Sequence, residues 1–547
     1  MKLSISQINF KPVFKNDNLP LAKNQEQPVT TSKESKSISV YGNDEIRTNP
    51  TQLSLFHMHD FHGQNIRMER AHSAVQQFDR GTLTDQNNNT FDKNMPVDKL
   101  KLCSGDMFLG ENKKELGAVN EFLNIAGITA NTIGNHECDE EINSFAKIVQ
   151  NRKYHLLGAN MHPQKNCSMD KLLSNSIIAE VNGNKYGIIG LVPVDMKNHM
   201  KRPEDVKEFN ISDKTDTLRD LQNEIAKIKS QGVNKIIVLS HLGLESEQYI
   251  AQNVSDIDVI LGGHTHNLIK EVKEGENLFK SPKGEPVLIM QVGRDGEFIG
   301  MPNIKFNELG QITDIQYNLL KTDDFARSLI AKQSFETILG KPEVVGKIAS
   351  VEEPPKDIYA NENPHCDFIL DCMRNELNTD IAAMNSANIR GRFYKGEVDT
   401  RDLLLISPFA NNVTVIEATE AELINSLNGV VKSSMESPVH RPGILQVSGL
   451  RYEYSKSKGE ITALSFIDKN NIEHPIDIKN PSQDKIYTIA VDDYCAKSTK
   501  SGMNLAHRLE DAKAFFDCDK DVFVAGYLRK HKEPVSIKSD GRIKVVD

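Results

Sequence analysis

The chain reads as an α/β protein built on a central, largely covered sheet, and three observations lead there. Between about Gln52 and Phe306, short apolar runs alternate with amphipathic helical stretches, the rhythm that places helices on both faces of a mostly parallel sheet. Several of the runs are nearly continuous, as in Ile236-Ile237-Val238-Leu239, which marks strands buried on both faces. Polar clusters rich in Asp, Asn and His follow directly after such runs, and ligands in open α/β sheets gather beyond the carboxyl ends of strands.

Taken in chain order, the first 48 or so residues are rich in Lys, Asn, Ser, Gln and Glu. Such a stretch buries too little apolar surface to offset its ordering entropy, so a disordered arm is expected over 1–48. Strands are expected at Tyr186 to Val192, Ile236 to Leu239, Ile257 to Leu261 and Val287 to Met290. A helix spans Lys214 to Lys229, where Leu218, Leu221, Ile225 and Ile228 share one face and Gly232 closes the element. A second helix, about Asp323 to Leu339, has acidic residues in its first turn and Gly340 and Pro342 after it. It separates a metal-bearing domain, 49–322, from a region of different texture, with 323–344 as a linker helix. That last region, 345–547, mixes helices at Asp367 to Asn378 and Glu420 to Lys432 with strands such as Ile486 to Val491, an α+β domain.

Composition narrows the function. The net charge of −10 argues against nucleic-acid binding, which draws on Lys and Arg to neutralise phosphates. No run approaches the roughly 18 apolar residues of a transmembrane helix. The seven cysteines form no Cys-x-x-Cys pair, so neither a zinc finger nor a disulfide framework is indicated; Cys103 and Cys138 are expected as small core residues.

The chemistry-bearing residues are Asp60-Phe61-His62-Gly63, Gly105-Asp106, Gly134-Asn135-His136-Glu137, Ser240-His241 and Gly263-His264-Thr265-His266. Carboxylate, amide oxygen and imidazole without thiolate favour Zn²⁺, Mn²⁺, Fe²⁺, Mg²⁺ or Ca²⁺. Seven candidate ligands exceed one tetrahedral ion and suit two ions sharing a carboxylate, a pair that can activate water for displacement at phosphorus. Taken singly, Asp60-x-His62 and Gly105-Asp106 are ordinary turn or cap chemistry, whereas Gly134-Asn135-His136-Glu137 and Gly263-His264-Thr265-His266 say more, because a core without functional need rarely sets adjacent imidazole and amide groups at a strand exit. The order and position of all five carry the inference.

In that order these motifs resemble the calcineurin-like metallophosphoesterase signature, and more narrowly the 5′-nucleotidase family. The resemblance implies a four-layer metallophosphoesterase domain, a β-sandwich core flanked by helices, followed by a substrate domain. It implies that Asp60, His62, Asp106 and His266 hold one divalent ion (Zn, Mn, Mg or Fe), while Asp106, Asn135, His241 and His264 hold the other. His136, oriented by Asp139, would stabilise charge on the phosphoryl group. His57 and His59 are expected beside the site or facing solvent. The segment Gln291-Val292-Gly293 through Gly300 resembles the family's last strand and turn of this domain.

In the second region Asn385-Ser386-Ala387-Asn388-Ile389-Arg390 and Pro408-Phe409 stand where the family has Asn-Gly-Gly-Gly-Ile-Arg and Pro-Phe. The resemblance implies Asn385, Arg390, Phe409 and Tyr494 as substrate contacts, with Phe409 and Tyr494 stacking a base and Arg390 meeting phosphate. Three departures stand out. Ser386, Ala387 and Asn388 replace glycines and are expected to narrow the substrate's approach. An upstream Arg is lost around Asn361-Glu362, and Lys497 to Gly502 replaces a Gly-Gly-Asp-Gly stretch. The expected activity is hydrolysis of nucleoside 5′-monophosphates by a metal-activated hydroxide. The alternatives are a UDP-sugar hydrolase, a 2′,3′-cyclic-nucleotide phosphodiesterase, or a silent binding protein of the same fold. No apolar leader follows Met1-Lys2, which leaves localisation open between the cytoplasm, export by another kind of signal, and a start further upstream; the resemblance implies a periplasmic or extracellular setting.

Overall fold

The computed structural model describes residues 46–83, 91–110, 112–198, 200, 203–407, 411–436, 442–497 and 502–547. The expected arm lies outside them except for its last residues, and these are tied down. The Asn234 side chain donates to the Ile46 carbonyl, and the Thr48 N–H donates to Glu308.

Strand β1 (Thr51–Met58) is buried along its whole length. It runs parallel to β2 (Val97–Cys103), which continues through β3 (Ala130–Thr132) to β4 (His155–Leu157). Helices α1 (Asn65–Arg80), α2 (Lys113–Ile125) and α3 (Ile142–Val149) cover the outer face around Phe56, Phe78, Phe122 and Phe145. A second sheet carries parallel strands Asn184–Leu191, Ile236–Ser240, Val259–Leu261 and Pro286–Met290. Ile237 and Leu239 face inward to meet Leu53, Leu55, Leu100 and Leu102 of the first sheet. Their neighbours Ile236 and Val238 face outward beneath the helix Lys214–Lys229. This period of two explains the continuous apolar run: both sides of the strand are covered. The result is four layers, helix on sheet on sheet on helix, as the resemblance implies.

The second region is built on the parallel pair Ile381–Asn385 and Ile486–Asp492, flanked by antiparallel Leu445–Ser448 and Val413–Thr419. Its first helix spans Pro364–Leu377 rather than starting at Asp367. Asn363 caps it through the His365 N–H, and Pro364 occupies the first turn, where its missing donor costs nothing. The expected linker helix also needs correction. Thr322–Asp324 is a separate short turn, and the helix runs Leu329–Leu339 from a Ser328 cap. It lies on α1 and α2 with Phe335 fully buried, so it belongs to the core of the first region.

The two regions dock through charge. Glu69 of α1, fully buried, accepts from Arg401 at 2.9 Å and from Arg327 at 2.6 Å. Arg392 reaches Glu297, Tyr394 donates to Asp323, and the Gln64 amide donates to the Leu405 carbonyl. No helix among the described residues is long and apolar enough to cross a membrane.

One buried acid makes stability depend on pH. Asp367 is 1% exposed and neither carboxyl oxygen has a hydrogen-bond partner. Glu362 and Asp540 stand beside it, and Arg542 approaches only to 4.0 Å. Burial first, then the charge of Glu362, push Asp367 up to about 9 against the pull of Arg542. The native state therefore keeps a proton that the unfolded chain releases near pH ~4. This group's contribution falls as pH rises from ~4 to ~9 and levels off above that. Asp367→Asn removes the slope, so the urea midpoint of the variant should exceed that of the parent increasingly from pH 5 to pH 9. Parallel curves would refute the assignment.

Candidate metal centre

Five strand ends deliver the seven predicted ligands to one place. Asp60 and His62 follow β1, Asp106 follows β2, and Asn135 follows β3; His241 follows Ile236–Ser240, while His264 and His266 follow Val259–Leu261. Asp60, His62, Asp106, His264 and His266 all adopt left-handed backbone, with φ of 49°, 48°, 50°, 75° and 58°. For non-glycine residues this costs on the order of 1–3 kcal/mol each and gathers at functional sites. Inter-loop hydrogen bonds hold the strain: the Asp60 N–H donates to Gly105 and the His62 N–H to Asp106, both at 3.0 Å.

The side chains converge. His62 Nε2 lies 3.6 Å from Asp60 Oδ1 and 3.7 Å from Asp106 Oδ2. His266 Nε2 is 3.3 Å from Asp60 Oδ1, and His241 Nε2 is 3.0 Å from Asp106 Oδ2. His264 Nδ1 and Asn135 Oδ1 are 2.9 Å apart. Asp60 Oδ1, His62 Nε2 and His241 Nε2 are buried with no hydrogen-bond partner. Atoms bound about 2.0–2.2 Å from a shared cation lie roughly 3–3.7 Å from one another, so orphaned polar atoms at these separations fit divalent ions. Two groups that share no residue, Asp60 with His62 and His266, and Asp106 with His241 and His264, each have the compactness one ion needs.

Charge agrees with geometry. Burial disfavours protonated imidazole, yet the Asp106 and Asp295 carboxylates hold His62 up at about 10, and Asp106 with Asp60 does the same for His241. A field that draws protons onto buried imidazoles is one that a cation answers.

Residues behind the ligands set their direction. His59 Nε2 accepts the Val292 N–H at 2.7 Å, so its proton sits on Nδ1, directed at Asp60 Oδ2. His57 bonds Ser104 Oγ at 2.6 Å. Both rings are buried, so of the two expected positions they take the one beside the site. Glu137 accepts from the N–H groups of Asp106, Met107 and Gly134, at 3.0, 3.1 and 2.8 Å, and so stitches the loops after β2 and β3. A Cβ at Gly134 would collide with the Asp106 carboxylate. His136 Nδ1 meets Asp139 Oδ2 at 2.8 Å, and the Gly110 N–H fixes the same oxygen at 2.9 Å. The ring is 30% exposed and lines the cavity over the ligands. Cys103 and Cys138 are buried core residues whose thiols burial pushes up.

The second region contributes Arg390, which lines that cavity with His62, Asp106, Asn135, His136, His264 and His266. Asn385 does not line it; it is buried and donates to the Pro442 carbonyl at 3.0 Å. Tyr494 is 44% exposed and also stands off the cavity. Phe409 lies outside the described residues. Two of the three glycine replacements turn into the domain. Ser386 Oγ donates to the Ile444 carbonyl at 2.9 Å, and Asn388 bridges Asp492 and Ser407 at 2.8 and 3.0 Å. These side chains are buried in the domain and engaged by its own polar groups. Sequence reasoning gave no role to Glu137 or Asp295; Asp295 had a faint signal, an acid between Gly293 and Gly296 in the segment that resembles the family.

Comparison with known proteins bears on this geometry. The model of the calcineurin-like phosphoesterases matches residues 53–268, and that of the 5′-nucleotidase C-terminal domain matches 344–506. The chain is 24% identical over 570 residues to a "Probable 5′-nucleotidase" of Treponema pallidum, covering 89% of this chain and 93% of that one. It is 29% identical over 344 residues to the NAD 5′-nucleotidase of Haemophilus influenzae, covering 52% and 56%. The fold is shared with a 5′-nucleotidase precursor from Thermus thermophilus, at a TM-score of 0.63, 22% identity and coverage of 91% and 99%. It is also shared with a sulfate thiohydrolase from Thermus thermophilus, at a TM-score of 0.59, 15% identity and coverage of 90% and 96%. With both domain models matched in order, the chain belongs to the 5′-nucleotidase family of calcineurin-like metallophosphoesterases, metal-dependent hydrolases of phosphoric esters.

Proposed function

We propose that the protein is a binuclear metal-dependent phosphohydrolase that releases phosphate from nucleoside 5′-monophosphates. The convergence of seven oxygen and nitrogen donors at five strand ends, with buried donor atoms left unpartnered, carries this reading. Asp60, His62, Asp106 and His266 would hold one ion and Asp106, Asn135, His241 and His264 the other, with Asp106 shared. Two divalent cations, when bound, polarise a phosphoryl oxygen and bring water within range of acting as a nucleophile near neutral pH.

The chain's own residues supply the rest. Asp139 accepts the Nδ1 proton of His136 and orients the ring; in its cationic form the ring then also donates from Nε2 to a phosphoryl oxygen as charge develops. Such a pre-oriented donor contributes roughly 2.7–4 kcal/mol. Arg390 presents a planar guanidinium to the same phosphate. Tyr494, 44% exposed, would offer its ring to a base, and Asn385 braces the segment that bears Arg390.

A second reading, a different phosphate ester such as a nucleotide sugar or a cyclic nucleotide, is favoured by one observation. Lys497 to Gly502 lacks the Asp of the family's Gly-Gly-Asp-Gly stretch. A sulfate thiohydrolase on the same fold underlines that fold alone does not choose a substrate.

Metal-stripped protein should release no phosphate from AMP, and Mn²⁺ or Zn²⁺ should restore release. In the restored enzyme, His136→Ala should lower kcat roughly a hundredfold without changing metal content. Arg390→Ala should lower kcat/KM roughly 10–100-fold, the worth of one charge-assisted contact. Turnover of an aryl phosphate but not AMP would overturn the nucleotide assignment; silence on both would favour a binding protein.

A further inference from the structure

We propose that Asp295 is the positioning residue of His62, and that through it the turn after Pro286–Met290 sets the affinity of one side of the centre for its cation. The inference rests on the metal-centre reading above and concerns a residue outside the ligand set. Asp295 is 6% exposed. Its Oδ1 lies 2.8 Å from His62 Nδ1, and its Oδ2 lies 3.4 Å from Arg294 Nε. Its backbone carbonyl accepts from Arg67 Nη1 at 2.7 Å. The turn is seated closely on the ligand loop: a Cβ at Gly296 would press on the Phe61 ring, between Asp60 and His62 in sequence.

An ionised carboxylate only accepts hydrogen bonds, so the Asp295 contact puts the His62 proton on Nδ1. Where a cation takes the place of the second proton, Nε2 offers its lone pair on the side of Asp60 and Asp106. A carboxylate behind a metal-bound imidazole fixes its tautomer and raises its basicity, and losing such a partner typically costs 10–100-fold in metal affinity. The other side of the centre is anchored differently. His241 Nδ1 lies 2.6 Å from the Ser104 carbonyl, a contact independent of Asp295. The two ions should therefore respond unequally to changes at residue 295.

The backbone suggests clean substitutions. Asp295 has φ 53°, which glycine adopts freely and asparagine tolerates. Asp295→Gly removes the side chain without new strain; Asp295→Asn keeps an acceptor for His62 and removes the charge. Mn²⁺ would be titrated calorimetrically into metal-stripped parent and variants, with thermal unfolding of each metal-free protein alongside. The expected result is two Mn²⁺ in the parent and one affinity weakened 10–100-fold in Asp295→Gly. The second affinity should stay unchanged, and Asp295→Asn should recover to within roughly threefold of the parent at the weakened ion. Two unchanged affinities in Asp295→Gly, equal losses at both ions, or an Asn variant as weak as the Gly variant would each overturn the proposal. A parent that binds no Mn²⁺ would instead overturn the metal-centre reading beneath it, and the proposal with it.

Discussion

The structure turns on two carboxylates, Asp60 and Asp106, held together at the junction of two sheets with 0% and 1% of their surface exposed. Burying an unpaired carboxylate is among the most costly acts available to a protein. Here the cost is spread over imidazoles, backbone donors and, in the reading developed above, cations. The polar neighbours follow from that demand. His59 serves Asp60, Glu137 ties the Asp106 loop to Gly134, and His241 is pinned to the Ser104 carbonyl. None of these groups would suit the middle of an apolar sandwich; at the carboxyl ends of parallel strands they have loop backbone to bond.

The division of labour between the two regions has the same origin. Strand ends are rigid and serve the ligands, whose spacing tolerates little error. Arg390 comes from the second region and lines the same cavity. The turn at 294–297 touches both: Asp295 meets His62, Arg294 donates to the Tyr359 hydroxyl at 2.7 Å, and Glu297 meets Arg392.

How much was legible in the sequence depended on how local each cause was. The helix Lys214–Lys229 and the strand from Ile236 were readable because burial imposes a period on consecutive residues. The convergence of the candidate ligands was readable because each of their clusters follows directly after an apolar run. The start of the helix at Pro364 is equally local, with its Asn363 cap and its proline in plain view, three residues ahead of the expected start at Asp367. Other features had no local cause. Arg67 and Glu69 on α1 look like an ordinary solvated helix face and are instead buried against residues more than two hundred positions away. The side-chain direction of Asn388 depends on Asp492 and Ser407, which only the fold brings near.

That docking through Glu69, Arg401, Arg327, Arg392 and Asp323 has a consequence for how the molecule behaves when it moves. Two domains joined by an oily seam would expose an adhesive surface on parting and would tend to stay shut or stick to other copies. A seam rich in carboxylates and guanidinium groups is rehydrated as it opens, so water competes for the contacts on nearly equal terms. Dissolved salt then acts as a lubricant, weakening each contact in the partly open state while leaving the apolar cores of both regions untouched. Ionic strength therefore bears on this seam before it bears on either core.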